Sequence, residues 1–310
     1  MKVSEIPVGD LAARLHGPGL FLCTGPFVCR VRSPIPGVAE GIHLLYGEHS
    51  VAADTAFADF HVRLTRPKGL RRWLHPQVVF RFDDRIPFKP LPLDQAFPML
   101  EWGLNWCVAN YAHQYLVIHA AAVAKDDRAL IMPAPPGSGK STLCAGLVAR
   151  GWRLLSDELT LISPDDGLIA PLPRPVSLKN QSIEVLRRFA PQLPMTAECR
   201  DTVKGTVAHM GLPHDSIVRG DTPARPTWIV FPRYRPGVDA LLVPRKKGRT
   251  LLQVAQNGFN YSILGTRGFR CLTNTVDGCG CYDFTYSRLD EAIDLFNSLE
   301  PAPAPTPVMA

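Results

Sequence analysis

Features that would assign this chain to a membrane, a secretory route or a nucleic acid are missing from its sequence. No apolar run approaches the roughly 18 residues of a membrane span, and Met1 to Glu5 lead into a mixed sequence unlike a signal peptide. No polybasic arm is present, and the net charge of +6 is spread along the chain, which falls short of a nucleic-acid-binding protein. We therefore expect a cytoplasmic protein with neither a membrane nor a nucleic acid as its partner.

The sequence also lacks the usual spacing of a zinc site. Its eight cysteines are scattered, several lie in apolar runs, and in a cytoplasmic chain we expect them to be reduced. Cys279 and Cys281, with Cys271 upstream, form a C-x-C cluster, which differs from the usual C-x₂-C and has no histidine close by. Zinc binding is therefore the minor alternative here, and small buried hydrophobic residues are the main interpretation.

What the sequence contains is enough apolar material for two domains. Its 310 residues are 46% hydrophobic. A mostly period-two pattern predicts a smaller β-rich N-terminal domain over residues 1–92, and a linker follows at Lys89–Asp94. Residues 93–300 are expected to form the second domain, and the proline-rich stretch 301–310 is expected to be a disordered tail. Strands are predicted in the first domain at 27–31, 42–46, 60–64 and 78–82.

The most informative stretch is a glycine-rich loop in the second domain. Ala134 to Thr142 has the spacing G-x-x-x-x-G-K-[ST], except that Ala134 stands in place of the first glycine. An apolar strand precedes it at 128–132, and a helix is predicted after it, from Ser141 to Arg150. Helix N-terminal amides favour an anion, Lys140 adds a charge for the outer phosphates, and Ser141 is placed to ligate Mg²⁺. The loop therefore predicts a nucleoside triphosphate ligand, held by Pro136, Gly137, Ser138, Gly139, Lys140, Ser141 and Thr142.

Two further polar positions belong to the same domain. A short strand, Trp152–Ser156, ends at the acidic pair Asp157 and Glu158. Carboxylates at a strand end after a phosphate loop are expected where Mg²⁺ binds and a proton is removed. His119 lies inside an apolar strand at 115–123, where an isolated histidine is more often a buried core residue than a catalytic one.

These segments resemble a known family. His119-Ala-Ala, the loop Pro136–Ser141, and Arg150-Gly-Trp-Arg-Leu-Leu-Ser-Asp-Glu158 are similar to the C-terminal kinase domain of the HPr kinase/phosphorylase family. Within it, the set called HprK-related kinase A is the best match, through Arg174–Asn180, Lys204–His209 and Phe259–Tyr261. The resemblance implies an α/β fold with a P-loop kinase domain of the HPr kinase / PEP carboxykinase-like type.

The resemblance also implies roles for individual residues. Asp157 matches the carboxylate that takes the proton from the acceptor hydroxyl, Glu158 matches the second acidic position, which helps to hold Mg²⁺, and His119 matches the histidine that pairs with the catalytic carboxylate. The founding family's E-V-R-G-x-G segment is absent, so reversal with inorganic phosphate is not expected. Related kinases tend to accompany peptide-recognition proteins, which implies a peptide or small-protein acceptor.

Transfer of a phosphoryl group needs at least one cation besides Lys140. Arg174 and Lys179 are the candidates of choice, followed by Lys204 and His209 on a loop predicted between Pro194 and Pro213 that closes over the site. The basic stretch Arg245–Arg249 is predicted as a hairpin or loop.

Three functions are compatible with these residues. The first is an ATP- and Mg²⁺-dependent kinase that phosphorylates a hydroxyl, Ser or Thr of a peptide or small protein. The second is a kinase for a small metabolite such as a free amino acid or a sugar, and the third is a non-catalytic nucleotide-sensing protein. A phosphoenolpyruvate carboxykinase is disfavoured because no separate Lys and His metal ligands are evident upstream of the loop. A homo-oligomer assembled through the β-rich domain is a further expectation.

Overall fold

The structure is a computed structural model that describes residues 1–67 and 75–300. The chain divides into two units, each built from two separate stretches. Unit 1 combines Met1–Val108 with Pro173–Gly220, and unit 2 combines Ala109–Leu172 with Asp221–Ala310. The sequence predicted a boundary after residue 92 and one domain over 93–300, so the placement of 173–220 in unit 1 differs from that prediction. The predicted tail, 301–310, lies outside the described residues.

The helices and strands of the described residues are numbered in chain order. The helices are α1 Val8–His16, α2 Pro36–Leu45, α3 Ala96–Tyr111, α4 Lys140–Ala149, α5 Gln181–Phe189, α6 His214–Val218, α7 Lys247–Gln256, α8 Tyr261–Gly278 and α9 Leu289–Asn297. The strands are β1 Leu20–Thr24, β2 Phe27–Arg32, β3 Phe60–Thr65, β4 Gln77–Phe82, β5 Leu91–Pro92, β6 Leu116–Lys125, β7 Arg128–Pro133, β8 Arg153–Ser156, β9 Leu159–Ile162, β10 Ile169–Ala170, β11 Val176–Lys179, β12 Cys199–Thr202, β13 Gly205–Met210, β14 Arg225–Tyr234, β15 Leu241–Pro244 and β16 Gly280–Tyr286.

The described part of unit 1 contains a five-stranded sheet in the order β1-β2-β3-β4-β5. β2 and β3 pair in parallel, and the other neighbours are antiparallel. A parallel pair needs a crossover connection, which here contains α2. Alternating burial along β2 and β3 places one face of the sheet in the core and leaves the other to polar side chains.

The prediction of a strand at Ile42–Tyr46 is wrong, because most of this segment belongs to α2. Pro36 occupies the first helical turn, where its fixed φ is compatible with a helix. The helix buries Val38, Ile42 and Leu45, whose spacings of four and three are helical. A short apolar run contains too few residues to distinguish the period of a helix from that of a strand.

The stretch 173–220 contributes a second sheet to unit 1, in the order β11-β13-β12. Both pairings are antiparallel. The loop predicted between Pro194 and Pro213 is therefore largely a hairpin, whose turn at Val203 and Lys204 is followed by Gly205 with a φ of +82°. The prediction failed because β12 is short and polar, which hides the strand pattern.

Unit 2 is built on a mixed sheet of the order β10-β9-β6-β7-β14-β16-β15, in which β8 also pairs with β6. β14 is parallel to β7 and β16, whereas β6 is antiparallel to β7, β8 and β9. Since β7 and β8 both run opposite to β6, their carboxyl ends lie at the same edge of the sheet. The amino-terminal half of β6 reaches this edge too, because Ala120 pairs with Pro133.

The mixed α/β class predicted for this part of the chain is confirmed. Its core is formed by buried aliphatic residues of β6, β7, β14 and α8, among them Ile118, Ile131, Ile229 and Leu272. The basic stretch Arg245–Arg249, predicted as a hairpin or loop, instead enters α7 at Lys247. Within residues 1–67 and 75–300, no helix combines the length and apolar character needed to cross a membrane.

Candidate functional site

The segment from Ala134 to Gly139 connects β7 to α4 and is the loop predicted to bind phosphate. Gly137 and Gly139 have φ angles of +81° and +88°, which glycine adopts without steric cost. Ala134 is buried and is not among the described residues with positive φ, so alanine fits the position of the usual first glycine. α4 begins at Lys140, directly after the second glycine.

Two tyrosines at the ends of neighbouring parallel strands fix this loop. Tyr234 donates its backbone N–H to the Ser138 carbonyl at 2.8 Å, and the Tyr286 hydroxyl donates to the Gly139 carbonyl at 2.9 Å. Burial, and next the neighbouring Tyr234, raise the pKa of Tyr286 above its ordinary value, so its hydroxyl stays a donor at neutral pH. Sequence reasoning missed both residues, because only the register of β14 and β16 brings them together.

The amino end of α4 presents backbone amide donors beside a cation, and of these the Lys140 N–H donates to Ser138 Oγ at 3.4 Å. The first bond of the helix runs from Leu143 N–H to the Gly139 carbonyl, so the amides of Lys140, Ser141 and Thr142 have no partner within the helix. The side chain of Lys140 is buried, and its Nζ donates to the Asp157 carbonyl at 2.6 Å. The same Nζ lies 3.9 Å from Glu158 Oε2. The loop, the helix end and the acidic pair therefore meet at one place.

The two carboxylates differ in their surroundings. His119 Nε2 lies 3.0 Å from Glu158 Oε2, and the side chains of His119 and Glu158 are 30% and 20% exposed. Asp157 is only 4% exposed. Burial, and next the charge of Asp157, raise the pKa of Cys144 in α4 well above its ordinary value. The sequence predicted that His119 pairs with Asp157, and in the structure this histidine instead contacts Glu158.

The position of His119 depends on a segment that follows α7. The His119 N–H donates to the Asn257 carbonyl at 2.8 Å, and the Phe259 N–H donates to the Val117 carbonyl at 2.9 Å. Asn260 is fully buried; it accepts the Val117 N–H at 2.9 Å and donates to the Tyr115 carbonyl at 2.8 Å. The ring of Phe259 lies against that of His119, with centroids 5.9 Å apart. This support role was not predicted from the sequence.

Arg174, predicted to contact the transferred phosphate, is a buried structural residue of unit 1. Its Nη2 donates to Glu101 Oε2 at 2.7 Å and to the Glu101 carbonyl at 2.8 Å, and its Nη1 donates to Asn105 Oδ1 at 2.8 Å. Tyr46 donates its hydroxyl to Glu101 Oε1 at 2.7 Å. Burial lowers the pKa of Arg174, but Glu101 and Tyr46 more than compensate and hold it above its ordinary value. The guanidinium therefore balances a buried carboxylate.

The other predicted cations also belong to unit 1. Lys179 ends β11, and Lys204 lies over the ring of Trp102, with Nζ 4.9 Å from its centroid. His209 is buried in β13 with its ring edge-on to Phe97. None of the three lies in unit 2 with the phosphate loop.

The donors at the loop fit Mg²⁺ by their chemistry. Ser141, Asp157 and Glu158 supply hydroxyl and carboxylate oxygens, the hard ligands that Mg²⁺ prefers, and one or two carboxylates with substrate phosphates suffice for this ion. No group of three or more His, Cys, Asp or Glu that could hold a metal is found in the described part of the chain. The cysteines there, including Cys279 and Cys281, are free.

Comparisons with known proteins were made against family models, curated proteins and solved structures. No family model and no curated protein matches the chain. Among solved structures, the chain is similar to the Hpr(Ser) kinase/phosphatase from Coxiella burnetii, with 11% sequence identity and a TM-score of 0.26 over 58% of this chain and 95% of that one.

Proposed function

We propose that the protein is an ATP- and Mg²⁺-dependent phosphotransferase that moves the γ-phosphoryl group to a Ser or Thr hydroxyl of a peptide or small protein. The observation that carries the proposal is the meeting of a Gly137–Gly139 loop, the amino end of α4 and Lys140 with a carboxylate pair. Such a helix end binds phosphates through its amides and its dipole. The adjacent carboxylates add what a simple phosphate site lacks, a proton acceptor.

Exposure supports Glu158 as the group that takes the proton from the acceptor hydroxyl. An acceptor can reach only a group with accessible surface, and Glu158 has it whereas Asp157 is almost fully buried. His119, 3.0 Å from Glu158, orients that carboxylate. In the transfer, the acceptor oxygen bonds to the γ-phosphorus, the bond from phosphorus to the β–γ bridging oxygen breaks, and the hydroxyl proton passes to Glu158. This reverses the roles that the resemblance implied for the acidic pair.

Lys140 and the backbone amides that follow it hold the triphosphate. Lys140 leaves its contact with the Asp157 carbonyl for the outer phosphates, a short movement of a flexible side chain. Ser141 and Asp157 are proposed to hold Mg²⁺, which when bound neutralises the charge that develops on the phosphates.

The test compares two isosteric variants with a remote control. Wild type, Glu158→Gln, Asp157→Asn and the exposed-carboxylate control Asp290→Asn are assayed with γ-labelled ATP against Ser/Thr peptides, free amino acids and sugars. ATP binding is measured by calorimetry, with and without Mg²⁺. We expect Glu158→Gln to lose about 10²- to 10⁴-fold in kcat with little change in ATP affinity. Asp157→Asn should weaken the Mg²⁺ dependence of ATP binding, and Asp290→Asn should change neither.

Other results would contradict parts of the proposal. If Asp157→Asn lost turnover but kept Mg²⁺-dependent ATP binding, Asp157 and not Glu158 would be the proton acceptor. Labelling of a free amino acid or sugar but no peptide would make the protein a small-metabolite kinase. Wild-type ATP binding without turnover on any acceptor would identify a nucleotide sensor, and absence of ATP binding would refute the site.

A further inference from the structure

The polar face of the five-stranded sheet in unit 1 carries a row of arginines. Arg32 in β2 pairs in register with Arg63 in β3, and Arg63 pairs with Arg81 in β4. Arg30 lies two residues before Arg32 and so on the same face, and Arg66 follows the end of β3. Like charges directly opposite each other destabilise a sheet, so this arrangement weakens the fold that contains it.

The same face forms a groove of about 750 Å³. Five arginines line it: Arg30, Arg32, Arg63, Arg66 and Arg81. None of them forms an ion pair with a carboxylate in residues 1–67 and 75–300. The sequence from Phe60 to Phe82 contains no Asp or Glu, so no carboxylate of β3, β4 or their connection balances the charge. We call this surface the arginine face.

Two of the arginines are held in place by main-chain carbonyls. Arg30 donates from Nε and Nη2 to the Pro18 carbonyl at 2.8 and 2.6 Å, and Arg32 donates in the same way to the Gly17 carbonyl at 2.9 and 2.6 Å. Each guanidinium has five N–H donors, so others remain for a ligand. Burial, and next Arg63 and Arg30, lower the pKa of Arg32, consistent with crowded positive charge. Fixed guanidinium groups lose little freedom on binding a carboxylate.

The spacing and the rim of the groove favour a polypeptide. Arg30 and Arg32 lie on one face of β2 about 7 Å apart, which matches alternate side chains of an extended peptide, and Arg63 and Arg81 follow on the neighbouring strands at steps of about 4.8 Å. Asp83 and Asp84 line the groove beside the arginines; they would repel a nucleic-acid backbone but can bind a basic side chain or an amino terminus.

We propose that the arginine face binds an extended acidic segment of a partner polypeptide, one with Asp or Glu at alternate positions and a basic group near one end. Carboxylates pair with guanidinium groups in bidentate geometry, which gives both charge balance and register. The proposal does not rest on phosphotransferase activity, since every residue of the arginine face belongs to unit 1.

Binding is tested with the full chain and a fluorescein-labelled peptide that has Glu at alternate positions and Lys at one end. Anisotropy is measured for wild type, the double variant Arg63→Gln/Arg81→Gln, and Arg200→Gln, an exposed arginine of unit 1 outside the arginine face. We expect the double variant to bind roughly tenfold or more weakly and Arg200→Gln to bind like wild type. The double variant should not melt at a lower temperature than wild type, because it relieves the repulsion between Arg63 and Arg81.

Three comparisons can overturn the proposal. A peptide with Gln in place of Glu should bind far more weakly, and equal binding would show that charge is not recognised. A single-stranded DNA that binds more tightly than the peptide, and is lost in the same double variant, would assign the face to nucleic acid. Absence of peptide binding by wild type at physiological salt, or equal binding by the double variant, would refute the acidic-segment site.

Discussion

Gly139 meets two separate requirements at one position. Its φ of +88° lies in the region that L side chains rarely adopt, and a Cβ there would lie 2.5 Å from Tyr286 Oη and 2.9 Å from Tyr234 Cβ. Gly137 has a similar φ of +81°, but a Cβ would meet nothing within 4 Å. At Gly137 a side chain would therefore meet backbone strain alone, whereas at Gly139 it would meet both strain and a steric clash.

Substitution of these glycines should have unequal effects. Gly137→Ala should cost about 1 kcal/mol of stability through strain alone. Gly139→Ala should cost more, about 2–4 kcal/mol, and should abolish ATP binding because the loop must move away from Tyr286. Calorimetry and urea unfolding measure both. Addition of Tyr286→Phe to Gly139→Ala should recover part of the loss by removing the nearest atom, and equal effects of the two single variants would contradict the steric argument.

Arg174 shows which kind of residue the sequence could not place. Lys140, Asp157 and Glu158 were predicted to lie together, since a loop, a helix and a strand end carry them within a short stretch. The partner of Arg174, Glu101, is 73 residues away, and no local pattern identifies it. A cation just past an acidic pair therefore looked catalytic, although its charge is used within unit 1.

Removal of one partner from this buried ion pair should be costly. Arg174→Gln leaves the Glu101 carboxylate buried without its cation, which should lower the free energy of unfolding by about 3–5 kcal/mol. The double variant Arg174→Gln/Glu101→Gln should be more stable than Arg174→Gln alone, because no isolated charge remains. Urea unfolding of the two singles and the double measures the coupling. Strictly additive losses would show that the two side chains do not interact.

At the scale of elements, β6 is positioned by the segment that follows α7. The strand itself was predicted from its apolar run, but its neighbours at the His119 end were not. Asn257, Phe259 and Asn260 bind β6 across more than 130 residues of sequence, and such pairing follows from tertiary structure alone. The error at Ile42–Tyr46 has the opposite cause, because there the local pattern was too short to choose between helix and strand.

Asn260 offers a test of this support. Asn260→Ala removes the partners of the Val117 N–H and the Tyr115 carbonyl, and we expect a loss of about 2 kcal/mol of stability. Since the segment also holds His119, kcat should fall while ATP affinity stays near that of wild type. Asn260→Asp keeps the acceptor but buries a carboxylate against the Tyr115 carbonyl, so it should lose at least as much stability as Asn260→Ala. If ATP affinity fell as much as kcat, the result would contradict a role of this segment in positioning His119 beside Glu158.

At the scale of the whole molecule, stability should fall at mildly acidic pH through unit 1. Burial lowers the pKa of His209 to about 4, and burial also lowers the pKa of His49. Neither ring nitrogen of His209 has a hydrogen-bond partner among the described residues. The folded state therefore favours the neutral ring. Between pH 4 and about 6.5, the ordinary histidine value, the unfolded state binds more protons, so the stability present above that range is lost as the pH falls.

Unfolding in urea at two pH values measures this effect. From pH 7 to pH 5, protonation of His209 should lower the free energy of unfolding by on the order of 2 kcal/mol. His209→Leu removes the titrating group, so its unfolding free energy should change less over the same range. An unchanged pH dependence in this variant would show that His209 does not set the acid sensitivity.

The interleaving of the two units along the chain governs the order in which a ribosome can deliver them. Unit 1 is incomplete until residue 220 has been synthesised, and by then residues 109–172 of unit 2 are already outside. β7 cannot pair with its parallel neighbour β14 until β14 has been synthesised, so the part of the unit 2 sheet that is made first is exposed during translation. Cleavage after residue 92, where the sequence pattern places a boundary, would leave the N-terminal fragment without β11, β12 and β13 of unit 1, whereas the C-terminal fragment would keep every described strand of unit 2.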